Sequence, residues 1–144
     1  VIESLEKSGD TSILHKYLKN SGESQLSKNE KFFEAAFKSK NLSKIVKFLS
    51  KSENPLAHLA SQKIIKNCPI AMTYTLEMLS RLTPTSKIED ALDLEYRFTS
   101  RAQEYGNFQE GIRAAIIDKD RKPKWKFKID TVPKEIIDEF FKPV

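Results

Sequence analysis

Helical periodicity runs along almost the whole chain, and that one feature decides most of what it can become. Apolar residues return at the three- and four-residue spacing that gathers them on one side of a helix. Alternation of the kind a half-buried strand needs is scarce, and only four glycines occur in 144 residues. One stripe is Phe33, Ala36 and Phe37; a second is Leu42, Ile45, Val46 and Leu49, with Asn41 as its N-cap. Pro55 and Pro69 each stand where a first helical turn tolerates proline, because the missing N–H would be unpaired there anyway. The longest helix is predicted over residues 85–105, started by a Ser86/Glu89 capping box and stopped by Gly106. After Asn107, one face collects Phe108, Ile112, Ala115 and Ile116 until Pro123 forbids continuation. A last helix over 135–141 follows Pro133, and the polar run SGESQLSKNE (21–30) reads as a loop. No internal repeat is evident. The expected fold class is all-α, built from several short helices.

At this length the chain suffices for one domain, which would bury about 70% of its unfolded surface. Apolar residues make up 39% and charged ones 31%, a little polar for a self-sufficient globule. The start, VIESLEKSGD, reads as the middle of a helix rather than a signal or transit peptide, so a piece of a longer protein is expected. No run approaches the roughly 18 apolar residues of a membrane span. A single cysteine, Cys68, excludes an internal disulfide, and with only His15 and His58 beside it a metal site is not expected. A net charge of +5 is compatible with nucleic acid, an acidic lipid surface or a phosphorylated ligand and selects none of them.

No nucleophile–base pairing, glycine-rich phosphate loop or zinc spacing is present. The acidic run Glu89, Asp90, Asp93 and Glu95 falls in the first turns of a helix, where negative charge meets the positive dipole end. That is a structural reading, and no catalytic residue is assigned. Glu95 itself falls near the middle of a face drawn by Ile88, Ala91, Leu92, Phe98 and Ala102, which predicts burial against an arginine, Arg113. KFFEAAFKSK and KIVKFL are basic and amphipathic, but their narrow apolar faces are needed for the core. The segment KDRKPKWKFK (119–128) carries six basic residues, one acid and two aromatics. Such a mixture suits an adenine nucleotide or single-stranded nucleic acid, set against a solvated tail whose Trp125 and Phe127 pack on the domain.

EGIRAAIIDKDRKPKW (110–125) closely resembles the C-terminal signature of the 3-hydroxyisobutyryl-CoA hydrolases, a branch of the crotonase (enoyl-CoA hydratase/isomerase) superfamily. The resemblance extends back through EDALDLEYRFTSRAQEYGNFQEG and PIAMTYTLEML and forward to IIDEFF, covering 69–141. It is weaker over NEKFFEAAFKSKNLSKIVKFLSK. It implies a parent enzyme that hydrolyses an acyl-CoA thioester in valine breakdown, usually in mitochondria, with its oxyanion hole and catalytic glutamate in a core upstream of these residues. On that reading residues 1–27 are variable N-terminal helices and loop, and 28–144 are a C-terminal helical domain packing on the core of the same protein. The isolated segment is expected to be inactive. Crotonase relatives place a lysine of this region near the CoA nucleotide. The resemblance therefore implies Lys119, Arg121, Lys122 and Lys124 as contacts to CoA, with Lys119 the closest match. Asp118 and Asp120 are expected to pair locally with Lys119 and Arg121. CoA enters as part of the substrate, no separate cofactor is expected, and nucleic acid and membrane are disfavoured as partners. Two alternatives remain open: a non-enzymatic member associated with the mitochondrial ribosome, and an enoyl-CoA hydratase. The latter's EGxxAFxEKRxxxF pattern differs from the residues here.

Overall fold

The computed structural model describes residues 2–19 and 22–144; Val1, Asn20 and Ser21, the last at the start of the expected loop, lie outside the described residues. Among those described there is no strand, so the fold is all-α as expected. No helix is long and apolar enough to cross a membrane. The chain forms two compact units, Val1–Phe33 and Glu34–Val144.

In the first unit, α1 (Ile2–Ser8) ends at Gly9, whose φ of +64° lets its N–H return to Leu5 O at 2.8 Å. A 3₁₀ helix, Thr11–Tyr17, is capped by Asp10, which accepts from Ser12 N–H at 2.8 Å. The run expected as a loop holds a one-turn helix, α2 (Gln25–Lys28). Ser24 explains the departure: its Oγ accepts from Ser27 N–H at 3.0 Å, a cap sufficient to close a turn in a polar stretch.

In the second unit the helix starts read at Asn41, Pro55 and Pro69 hold. Following α3 (Glu30–Phe37), Asn41 caps α4 (Leu42–Ser50) by accepting from Lys44 N–H at 2.9 Å. Pro55 and Pro69 open α5 (Pro55–Lys66) and α6 (Pro69–Arg81). Leu42, Ile45 and Leu49 of α4 are buried, as are Ala57 and Ser61 of α5, which packs along it. The larger core joins α6, α7 (Ile88–Arg101) and α9 (Lys134–Phe141) through Ile70, Tyr74, Met78, Ile137, Phe140 and Phe141. Tyr74 stacks on Phe98 at 4.7 Å and on Phe141 at 4.5 Å between centroids, and its hydroxyl donates to Leu94 O at 2.6 Å. That bond lets a phenol be buried without an orphaned polar group.

Two expectations about α7 fail. The predicted Ser86/Glu89 capping box does not form: one residue later Asp90 accepts from Lys87 N–H at 2.9 Å, the reaching-back half alone, while Ser86 Oγ accepts from Thr83 N–H. Glu95 is exposed and makes no ion pair among the described residues. The cause is rotational. α7 carries two apolar stripes, and the one that packs is Ala91, Leu94, Phe98 and Ala102. Ile88, Leu92 and Tyr96 stay exposed on the same side as Glu95. After α7 the hydrogen-bonded turns continue to Gly106, whose N–H meets Ala102 O at 3.1 Å. A Cβ there would lie 2.6 Å from that oxygen, so the stop requires glycine.

Phe140 is fully buried against Tyr74, Phe98 and Tyr105. Phe140→Ala is expected to lower the unfolding free energy by about 3–5 kcal/mol, measured by urea denaturation of the chain. A loss below about 1 kcal/mol would contradict a closed aromatic core at this position.

Candidate functional site

α8 (Phe108–Ile112) runs directly into a π turn, Arg113–Ile117, in which Asp118 N–H donates to Arg113 O at 2.8 Å. The i to i+5 closure widens the helix by one residue, a local change that sequence periodicity does not foresee. Beyond it the backbone reverses sharply. Lys119 and Arg121 have φ of 56° and 53°, and Arg121 N–H returns to Ala114 O at 2.9 Å. For residues with a Cβ this left-handed conformation costs about 1–2 kcal/mol each, so the surroundings must enforce it.

Arg113 enforces it. Its guanidinium places all five donors: Nε on Glu110 Oε2 at 2.9 Å and Nη2 on Glu110 Oε1 at 2.8 Å. Nη2 also reaches Lys122 O at 3.2 Å, and Nη1 donates to Asp118 and to Asp120 Oδ2, the latter at 2.9 Å. Two of the three acids are engaged elsewhere as well. Glu110 Oε1 accepts from Lys124 N–H at 2.5 Å, and Asp120 Oδ1 accepts from Lys122 N–H at 2.8 Å. The planar fork of arginine suits this multidentate role; lysine could not fill it. Arg113 holds the Glu110 carboxyl down to about 2, helped by the Lys124 N–H. The Lys122 N–H and then Arg113 hold Asp120 below the ordinary carboxylate range, and the acids push the guanidinium upward. The predicted partnership of Arg113 with Glu95 is thus replaced by one with Glu110, Asp118 and Asp120.

The same contacts correct the pairing expected in the loop. Asp118 and Asp120, both exposed, pair with Arg113 and make no ion pair with Lys119 or Arg121 among the described residues. Lys119, Arg121, Lys122 and Lys124 are all exposed, and none makes an ion pair among the described residues. The structure therefore brings these four cations together on one short reversed segment. The aromatics of the segment are committed. Phe127 packs against the main core, and Trp125 Nε1–H donates to Lys66 O, a terminal carbonyl of α5, at 3.2 Å.

Trp125 also walls an apolar groove of about 280 Å³, lined further by Cys68, Phe98, Phe108, Ile112 and Ile116. The stripe foreseen on α8 is real, but it faces this groove rather than the core: Phe108 and Ile116 are 55% and 64% exposed. Ala114, not Ala115, is the residue that is buried, because it lies on the side of the helix opposite the stripe that faces the groove. Among the described residues no group of three or more His, Cys, Asp and Glu side chains is placed to hold a metal ion.

Sequence reasoning missed the clamp itself. Its signal was available in the Glu110–Arg113 spacing of three, which places a carboxylate and a guanidinium on one helix face. The site is thus a clamped loop with exposed cations next to an open apolar groove on an all-α module. The model of the enoyl-CoA hydratase/isomerase family matches residues 2–141, and the chain belongs to that crotonase-type family. Within it, the chain is similar to the mitochondrial 3-hydroxyisobutyryl-CoA hydrolase of Gallus gallus, 33% identical over 75% of this chain and 28% of the relative. It is also similar to the enzyme of that name from Dictyostelium discoideum, 27% identical over 92% of this chain and 36% of the relative. A solved structure titled an enoyl-CoA hydratase, from Rhodobacter sphaeroides, covers 99% of this chain and 43% of its own at 35% identity, with a TM-score of 0.82. The chain thus spans well under half the length of these relatives.

A group whose native pKa is depressed contributes stability above its unfolded value and loses it as pH falls through the native one. For Glu110 that window runs from 4.5 down to about 2, and Asp120 acts in the same direction. Glu110→Gln is therefore expected to lower the thermal midpoint at neutral pH, with the gap from wild type closing as pH falls through this window. A gap of constant size from pH 7 to about pH 2.5 would rule out ionised Glu110 as the anchor.

Proposed function

We propose that this chain is the C-terminal helical part of an acyl-CoA thioester hydrolase of the 3-hydroxyisobutyryl-CoA hydrolase type, acting in valine breakdown in the mitochondrion. The thioester-cleaving groups are assigned to a core elsewhere in the same protein, on which the helices pack. To that core the chain adds positive charge for the CoA end of the substrate. The observation that carries this reading is the loop itself: four exposed cations, Lys119, Arg121, Lys122 and Lys124, on a backbone that leads into the Trp125 wall of an apolar groove. CoA carries a pyrophosphate and a ribose phosphate, and several cations share that charge better than one. Holding the loop in place before binding reduces the ordering entropy lost on association. No separate cofactor is needed, because CoA arrives as part of the substrate.

Replacing all four cations by alanine in the full-length protein is expected to weaken CoA affinity about tenfold at low salt and to flatten its salt dependence. Unchanged affinity at both low and moderate salt would leave the loop a solvated tail.

Similarity to the solved enoyl-CoA hydratase of Rhodobacter sphaeroides favours a second reading, hydration of an enoyl-CoA. The two reactions separate cleanly in one assay. The full-length protein is expected to release thiol from 3-hydroxyisobutyryl-CoA and to leave an enoyl-CoA double bond intact. The isolated chain is expected to do neither, since an oxyanion donor and a general base each contribute about a hundredfold or more. Hydration without thiol release would select the second reading. Full turnover by the isolated chain would place the active site within it.

A further inference from the structure

We infer that Arg113 is a positioning residue for CoA binding, which keeps the 119–124 segment cationic by sequestering the two acids interleaved with its bases. The inference rests on the proposed contact between this segment and CoA, and it identifies what makes that contact effective. In the order Asp118, Lys119, Asp120, Arg121, acids and bases alternate, and neighbouring opposite charges ordinarily neutralise one another. Here they do not. Asp118 and Asp120 both converge on Nη1 of Arg113, while Lys119 and Arg121 lie between and beyond them at positive φ. The two left-handed residues are the price of that sorting. Both acids pair with one guanidinium, and the exposed bases between and beyond them make no ion pair among the described residues.

Glycine would adopt this backbone without strain, yet the chain keeps a lysine and an arginine there. Turn geometry alone gives no reason for that choice; a role for the side chains does. Arg113 further fixes the segment's path through Lys122 O, and Glu110 fixes it through Lys124 N–H, so the last two cations are held by the same clamp. Removing the guanidinium therefore has two effects. It loosens the segment, and it frees two carboxylates to pair with the cations that CoA phosphates would otherwise meet. The second effect is the distinctive one, because it can be reversed without restoring the guanidinium.

The test uses the full-length protein, with CoA as the binding probe and thioester turnover followed alongside. Arg113→Gln is expected to weaken CoA affinity about tenfold and raise KM with little change in kcat, a pattern of lost ground-state binding. Arg113→Lys, which cannot hold both aspartates and Glu110 at once, is expected to restore only part of the loss. The decisive variant adds Asp118→Asn and Asp120→Asn to Arg113→Gln. With the acids neutralised, affinity should return to within about threefold of wild type. If the triple variant binds CoA as poorly as Arg113→Gln, the effect of Arg113 is structural alone and the inference is overturned. Unchanged affinity in Arg113→Gln would overturn it as well. The four-cation alanine variant separates the two levels: no effect there removes the CoA reading itself, whereas a loss there without one in Arg113→Gln removes only the role of Arg113.

Discussion

The second unit depends on one ring. Tyr74 sits where α6, α7 and α9 meet, stacked between Phe98 and Phe141, with its hydroxyl bonded to a backbone carbonyl of α7. Each of these helices has eight to fourteen residues, a length at which isolated helices are marginal in water. Their stability must come from packing, and this cluster supplies the common surface. Burial raises the Tyr74 phenol above its ordinary value, so it remains a neutral donor to Leu94 O. The end of the chain is tied to the same place from outside. Arg97 donates to Phe141 O at 2.8 Å, which gives the last carbonyl of α9 the partner a helix terminus lacks, and Arg101 donates to Pro143 O, two residues beyond the helix, at 2.7 Å.

A different physics governs the other end of α8. There the organising group is a charge rather than a ring, and its neighbours are half-exposed. Arg113 holds three carboxylates, which leaves the cluster two charges negative before the loop cations are counted. Exposed ion pairs taken singly contribute little. A network that uses every donor of one guanidinium, and ties two backbone N–H groups into the same acids, is a stronger constraint on shape than any one pair. The aromatic cluster makes the module stable, and the clamp gives it a defined surface.

What the sequence disclosed follows this division. Caps and breakers are local, so Asn41, Pro55, Pro69, Gly106 and Pro133 were legible without knowledge of the fold. The class was legible too, since helical spacing needs no tertiary information. Failures came where two local readings competed and the fold chose between them. α7 offers two apolar stripes, and only packing against Tyr74 decides that Leu94 and Phe98 turn inward and Glu95 stays wet. In the site, the four cations were legible as a charged run, but the fate of the interleaved acids was not. That depends on a π turn and two positive φ values, which periodicity reads as ordinary helix followed by loop. The residues of the signature were recognisable as a group before the reason for their spacing was.

That reason becomes plain when both ends of the basic segment are considered together. At its start, the π turn and Arg113 set the direction in which the chain leaves α8. At its far end, Trp125 covers Gly111, bonds to the last carbonyl of α5 and closes one side of the groove, while Lys126 N–H approaches Asn107 Oδ1 at 3.4 Å. A segment fixed at two points has few conformations left, and Pro123 removes more by fixing its own φ. Arginine at the entry, proline within and tryptophan at the exit thus act on the same quantity, the entropy of the residues between them. Long cationic side chains keep their own rotamer freedom while their backbone is held, so the segment presents charge at defined positions on a surface that remains accessible. The order Glu110, Arg113, Asp118, Asp120, Pro123, Trp125 is the sequence record of that restraint.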